Sequence, residues 1–129
     1  LIAVRVRNAA HYGRRLADIP RLSPPPCAPW AENVYWMYTV LVEEEYGLDR
    51  DTLMARLRQR GIDTRPAFYP IHTLPMYHQG QRFPVAEELG RKGLNLPSGA
   101  TLTPEQVDLV CDELAQMRPF QKNSCSKFH

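Results

Sequence analysis

The chain has 129 residues, 43% apolar and 23% charged, with 16 basic residues against 14 acidic ones for a net charge of +2. That length is one domain by default, and the charge is too even to point to nucleic acid as a partner. No apolar run nears the roughly 20 residues that span a bilayer, so no membrane partner is expected.

The chain opens on Leu1, and residues 1–7 lack the apolar core and cleavage site of a signal peptide, so the expectation is a piece of something longer. From Leu1 to Leu16, apolar or small residues recur at helical spacing (Ile2, Val6, Ala9, Ala10, Leu16), which predicts an amphipathic helix. Residues 20–29 hold five of the 12 prolines. Proline removes a backbone donor and fixes φ, so this segment is predicted as an extended connector with neither helix nor central strand.

Val34 to Val42 is dense in β-branched and aromatic residues and predicts a nine-residue strand in the middle of a sheet, with Tyr35, Trp36 and Tyr38 in the core. Asp49 is placed to cap a helix through Arg60 with Leu53, Met54 and Leu57 buried, and Gly61 to end it in a left-handed turn. A second strand is expected from Ile62 to about Phe68, with Pro66 favouring a sheet edge. Pro84 opens a short helix (Val85, Ala86, Leu89) that stops near Gly90 or Gly93, and a brief extended piece runs from Leu94 to Pro97. Thr103, Pro104 and Gln106 form a capping box for a last helix with Val107, Val110, Leu114 and Met117 on one face. The expected class is α+β: a small sheet covered by helices. The folded domain is taken as 1–118, with 119–129 a disordered tail or foreign extension lacking periodicity.

Cys27, Cys111 and Cys125 are odd in number and show no CxxC spacing, which predicts free thiols and a cytoplasmic setting. His72 and His78 lack neighbouring ligands at metal-binding spacing, no glycine-rich phosphate loop is present, and Ser98 lacks a nucleophile elbow. Glu43 to Glu45 and the arginines at 56, 58 and 60 are read as solvated faces. The stretch Thr64 to Tyr77 stands apart: three prolines alternate with Phe68, Tyr69, His72 and Tyr77, beside Arg65. A stiff loop of this kind presents polar and aromatic tips to a ligand with little loss of entropy. The structural alternative has the aromatics packing the loop on the core and His72 bonded to backbone.

Asn33-Val-Tyr-Trp-Met-Tyr, Arg50-Asp-Thr-Leu-Met, Gly61-Ile-Asp-Thr-Arg-Pro, Tyr69-Pro-Ile-His, Leu74-Pro-Met-Tyr, Phe83-Pro-Val-Ala-Glu and Leu94-Asn-Leu-Pro-Ser-Gly, in this order, resemble the C-terminal third of the DegT/DnrJ aminotransferases. The resemblance spans about Asn8 to Met117 and is to the perosamine synthase type. It implies the small domain of a fold type I enzyme, with a mainly antiparallel sheet. It also implies a homodimer that uses pyridoxal phosphate to move an amino group, usually from glutamate, onto a nucleotide-linked 4-keto-6-deoxy sugar. In that family the Schiff-base lysine lies in a large N-terminal domain. None of Lys92, Lys122 and Lys127 sits where that lysine would, so the expectation is that this chain alone binds no cofactor and has no catalytic residue. Carried over from the resemblance, Arg65, Tyr69, His72 and Tyr77 are candidate substrate-binding residues.

The competing expectation is a stand-alone, non-catalytic α+β binding module or truncated remnant. Exposed surface separates the two, because a domain that packs on a larger partner leaves apolar residues uncovered.

Overall fold

Asp49 and Thr103 start their helices as the sequence predicts. The Thr52 N–H donates to Asp49 Oδ1 at 2.7 Å, and the Thr103–Gln106 capping box forms in both directions. The computed structural model describes residues 1–119 and contains helices α1 (Ile2–Leu16), α2 (Arg50–Gln59), α3 (Pro84–Lys92) and α4 (Pro104–Met117). Its strands are β1 (Leu22–Ser23), β2 (Tyr38–Val42), β3 (Arg65–Pro66) and β4 (Gly93–Leu96). They form one antiparallel sheet in the order β1-β2-β4-β3, so the class is α+β as expected. Residues 120–129, and with them Cys125 and most of the expected tail, lie outside the described residues. No described helix is long and apolar enough to cross a membrane.

Alternation along β2 and β4 divides the sheet into two faces. Tyr38, Val40 and Val42 join Leu94 and Leu96 in the core, which α1, α2 and α4 close with Tyr12, Leu16, Leu53, Leu57, Val107, Val110, Cys111 and Leu114. Polar ends in this core are satisfied. Tyr12 Oη donates to the Pro97 carbonyl at 2.7 Å, Tyr46 Oη to the Leu114 carbonyl at 2.6 Å, and Asn8 Nδ2 to the Leu102 carbonyl at 3.1 Å. Asp108 binds α4 to α1 by accepting from Arg15 while lying 2.8 Å from His11 Nε2, and Arg15 also donates to Asp112.

Several expectations need correction. The strand starts at Tyr38 and not at Val34, because Tyr35 takes a left-handed φ of 49° after its N–H bonds to Asn33 Oδ1. Tyr38 is buried and Tyr35 packs against the core, but Trp36 is 62% exposed. In α1 the buried stripe is Asn8, Ala9, Tyr12 and Leu16, while Ile2, Val6 and Ala10 face outward. The strand expected over 62–68 shrinks to Arg65–Pro66, at the edge that Pro66 favours. The proline-rich connector contributes a two-residue edge strand, β1. In α3, Val85 and Leu89 are exposed, and the buried members are Gly90 and Lys92.

Candidate functional site

The sheet face turned away from the core carries Thr39, Leu41 and Asn95, with Ala67 just beyond β3. Thr39 Oγ1 donates to Asn95 Oδ1, and Asn95 Nδ2 donates to the Pro66 carbonyl at 3.4 Å, so side chains stitch β2, β4 and β3 together on this face. Here Thr39, Leu41 and Ala67 line a cleft of about 560 Å³ together with Pro24 to Pro26, Phe68 to Ile71, and Ala86, Leu89 and Gly90 of α3. The cleft is predominantly apolar and open.

The loop over this face is fastened at its base. Pro84 starts α3, and the first turn brings Glu87 against the loop. The Glu87 carboxylate takes a two-pronged ion pair from Arg82 and lies 3.0 Å from His72 Nε2, and the Phe83 ring meets His72 edge-on at 4.8 Å. The Arg82 guanidinium first, and His72 second, hold the Glu87 carboxyl down at about 2. The His72 side chain is only 11% exposed. Gly90 lets α3 approach the loop closely, since a Cβ there would stand 2.8 Å from Pro70 Cδ.

The four candidate residues do not share one pocket. Tyr69 is exposed and lines the apolar cleft. Arg65 is exposed, 3.4 Å from Asp63, and lines a separate groove of about 560 Å³ against α2, with Met54, Arg58 and Gln59. His72 is tied to Glu87, and Tyr77 is exposed at the loop's far turn, where its N–H donates to the Leu74 carbonyl. Two site features escaped the sequence reading. Glu87 as the residue that fixes His72 could have been sought in the Phe83-Pro-Val-Ala-Glu segment. The Thr39–Asn95 floor leaves no local signal, because it is a cross-strand pair 56 residues apart.

Lys92 is the only lysine among the described residues. Its Nζ donates to Glu43 Oε2 and to Glu88 Oε1, both at 2.9 Å, and these bonds raise its pKa above the usual lysine range. A locked ammonium is not a nucleophile, so the described residues do not fit a covalently held pyridoxal phosphate. The two free cysteines described differ in setting: Cys27 is exposed, and burial pushes the Cys111 thiol up to about 11.

Comparison with known proteins gives this geometry a context. The chain is 36% identical over 119 residues to the GDP-perosamine synthase of Caulobacter vibrioides, an alignment covering 90% of this chain and 32% of that one. It is 42% identical over 83 residues to the GDP-perosamine synthase of Escherichia coli O157:H7, covering 64% and 22%. The crystal structure of DesI with its TDP-sugar product has a TM-score of 0.82 at 30% identity, covering 90% of this chain and 31% of that chain. The chain therefore spans a third or less of the length of these relatives. Residues 1–115 match the profile of the DegT/DnrJ/EryC1/StrS aminotransferases, and the chain belongs to that pyridoxal-phosphate-dependent family of sugar aminotransferases.

Proposed function

We propose that this chain forms the small-domain part of a cytoplasmic, dimeric enzyme that transfers an amino group from a donor such as glutamate to a nucleotide-linked 4-keto-6-deoxy sugar. The observation that carries the reading is the 36% identity to a GDP-perosamine synthase over 90% of the chain. The exposed apolar side chains around the cleft, Phe68, Tyr69, Ile71, Val85 and Leu89, favour it over a self-contained module, because such a cluster is what a surface built to meet a partner or ligand leaves uncovered.

In this reading pyridoxal phosphate supplies the electron sink for the transfer and is held by residues other than those described. What this chain contributes is position. Tyr69 and Tyr77 offer exposed hydroxyls to sugar or phosphate oxygens, and the Arg65 guanidinium suits an anionic group. His72 has Nε2 committed to Glu87, which leaves Nδ1 for a substrate oxygen. The loop that carries them is held to α3 before any ligand arrives, so little ordering entropy is lost on binding.

The test is a chimera in which residues 1–119 replace the matching C-terminal third of the Caulobacter enzyme. It is assayed with glutamate, pyridoxal phosphate and a GDP-linked 4-keto-6-deoxy sugar. Amination by the chimera, with none by the 129-residue chain alone, is expected. A folded, cofactor-loaded chimera without activity overturns the reading.

A further inference from the structure

Helix α2 and the edge strand β3 border a groove of about 560 Å³ that shares no lining residue with the apolar cleft. The chain at β3 is the wall between the two, because Pro66 lines the groove and Ala67 lines the cleft. The Thr64 side chain is turned towards the groove. Arg65 pairs with Asn95, whose side chain lies on the cleft face, and alternation along an extended chain sends Thr64, one residue earlier, to the face that α2 covers. Thr64 is only 6% exposed, and its hydroxyl has no hydrogen-bond partner among the described residues. A buried hydroxyl left unpaired is costly and uncommon, so this one calls for a partner from outside the chain.

The helix wall supplies charge. Arg58 is exposed and lines the groove, and its guanidinium has no ion-pair partner among the described residues, whereas Arg50 and Arg60 pair with Asp51 and Glu113. The carboxylate on the groove, Asp63, is engaged by Arg65 at 3.4 Å. The lining therefore sets two guanidiniums against one carboxylate, and Arg58 is the cation left over. Met54, Ala55 and Pro66 make the rest of the wall apolar.

We propose that this groove is a binding site for a small organic anion. Its carboxylate or phosphate ester head meets Arg58 and accepts from the Thr64 hydroxyl, and a compact apolar body lies against Met54, Ala55 and Pro66. An uncharged apolar ligand would leave Arg58 and Thr64 unserved, and a bare inorganic anion would leave the apolar wall uncovered. The site lies outside the cleft and stands independently of the aminotransferase reading.

The probes are benzoate and phenyl phosphate, each titrated into the 129-residue chain and followed by amide-resolved NMR. Either should move the Arg58, Gln59 and Thr64 resonances saturably in the millimolar range. Benzyl alcohol, which lacks the charge, and inorganic phosphate, which lacks the apolar body, should act far more weakly. Arg58→Gln should abolish the response with an unchanged thermal midpoint, since Arg58 is exposed. Thr64→Val removes the orphaned hydroxyl, so it should raise the thermal midpoint of the free chain while weakening the probe's hold several-fold. The proposal is overturned by the absence of a saturable shift with both probes, by an equal response to benzyl alcohol, or by shifts centred on Thr39 and Leu41 of the cleft. Undiminished binding by Arg58→Gln or by Thr64→Val overturns it as well. So does a response of equal size to inorganic phosphate, because the groove then selects charge alone.

Discussion

The Arg50 guanidinium donates to the Gly90 carbonyl at 2.7 Å, tying the first turn of α2 to the C-terminal turn of α3. The same nitrogen reaches the Gly93 carbonyl at 3.0 Å, so one buried side chain satisfies backbone acceptors at the end of the helix and the start of β4. Arg50→Ala strands the Gly90 carbonyl, while the Gly93 carbonyl keeps the Ala67 N–H at 2.9 Å, and should lower stability by about 1–3 kcal/mol in urea unfolding. A loss below about 0.5 kcal/mol would show that water replaces the arginine there. Arg50→Lys should recover part of the loss, because a single ammonium cannot reproduce the guanidinium geometry.

Glu87 makes the loop sensitive to acid. Its folded pKa of about 2 lies below the ordinary 4.5, so the ion pairs contribute stability above the ordinary value, and that contribution fades as pH falls towards 2. Glu87→Gln removes this component, and the thermal midpoint should drop less between pH 7 and pH 3 in the variant than in the parent. Equal drops would mean the pairs with Arg82 and His72 do not form in solution.

At His72 the question is one of role. In the active chimera, His72→Ala should lower kcat/KM for the sugar nucleotide by more than its modest effect on unfolding accounts for, and Glu87→Gln should produce a smaller version of the same defect. An unchanged kcat/KM would leave His72 as a residue that only fastens the loop.

Lys92 has the opposite pH dependence. Its pairs with Glu43 and Glu88 raise its pKa, so they stabilise the fold below the ordinary value of 10.5 and lose that effect as pH climbs beyond it. Incubation with pyridoxal phosphate at neutral pH followed by borohydride should leave Lys92 unmodified by mass spectrometry, whereas Glu43→Gln combined with Glu88→Gln should expose it. Stoichiometric labelling of Lys92 in the parent chain would show a cofactor site of its own.

Gly93→Ala should destabilise the chain by about 1–3 kcal/mol, since the new methyl would stand 2.5 Å from Ala67 Cβ and 2.6 Å from the Leu89 carbonyl. Trimming the neighbour with Ala67→Gly should recover only part of the loss, because the backbone carbonyl cannot withdraw.

Local chemistry made the helix starts at Asp49 and Thr103, the turn at Gly61 and the edge position of Pro66 legible, because each signal is completed within a few residues. Tertiary contacts decided what the sequence missed. Trp36 has the composition of a strand residue, but Arg5, 31 positions away, holds its carbonyl outside the sheet. Ile2 and Val6 share helical spacing with Ala9 and Leu16, yet only Ala9 and Leu16 join Asn8 and Tyr12 in the buried stripe where α1 packs on α4. The candidate site was half visible: the stiff loop could be read from its prolines and aromatics, whereas the Glu87 tie and the Thr39–Asn95 floor exist only once distant segments meet.

Helix α3 ends at Lys92 and β4 begins at Gly93, with no residue between them. A junction without slack behaves as a lever: displacement of the loop pulls on Glu87, then on the helix, and then on a central strand paired on both sides. Such a loop is poorly suited to act as an independent flap. In the aminotransferase reading proposed above, closure over a substrate would have to swing the loop, α3 and the sheet as one rigid arm.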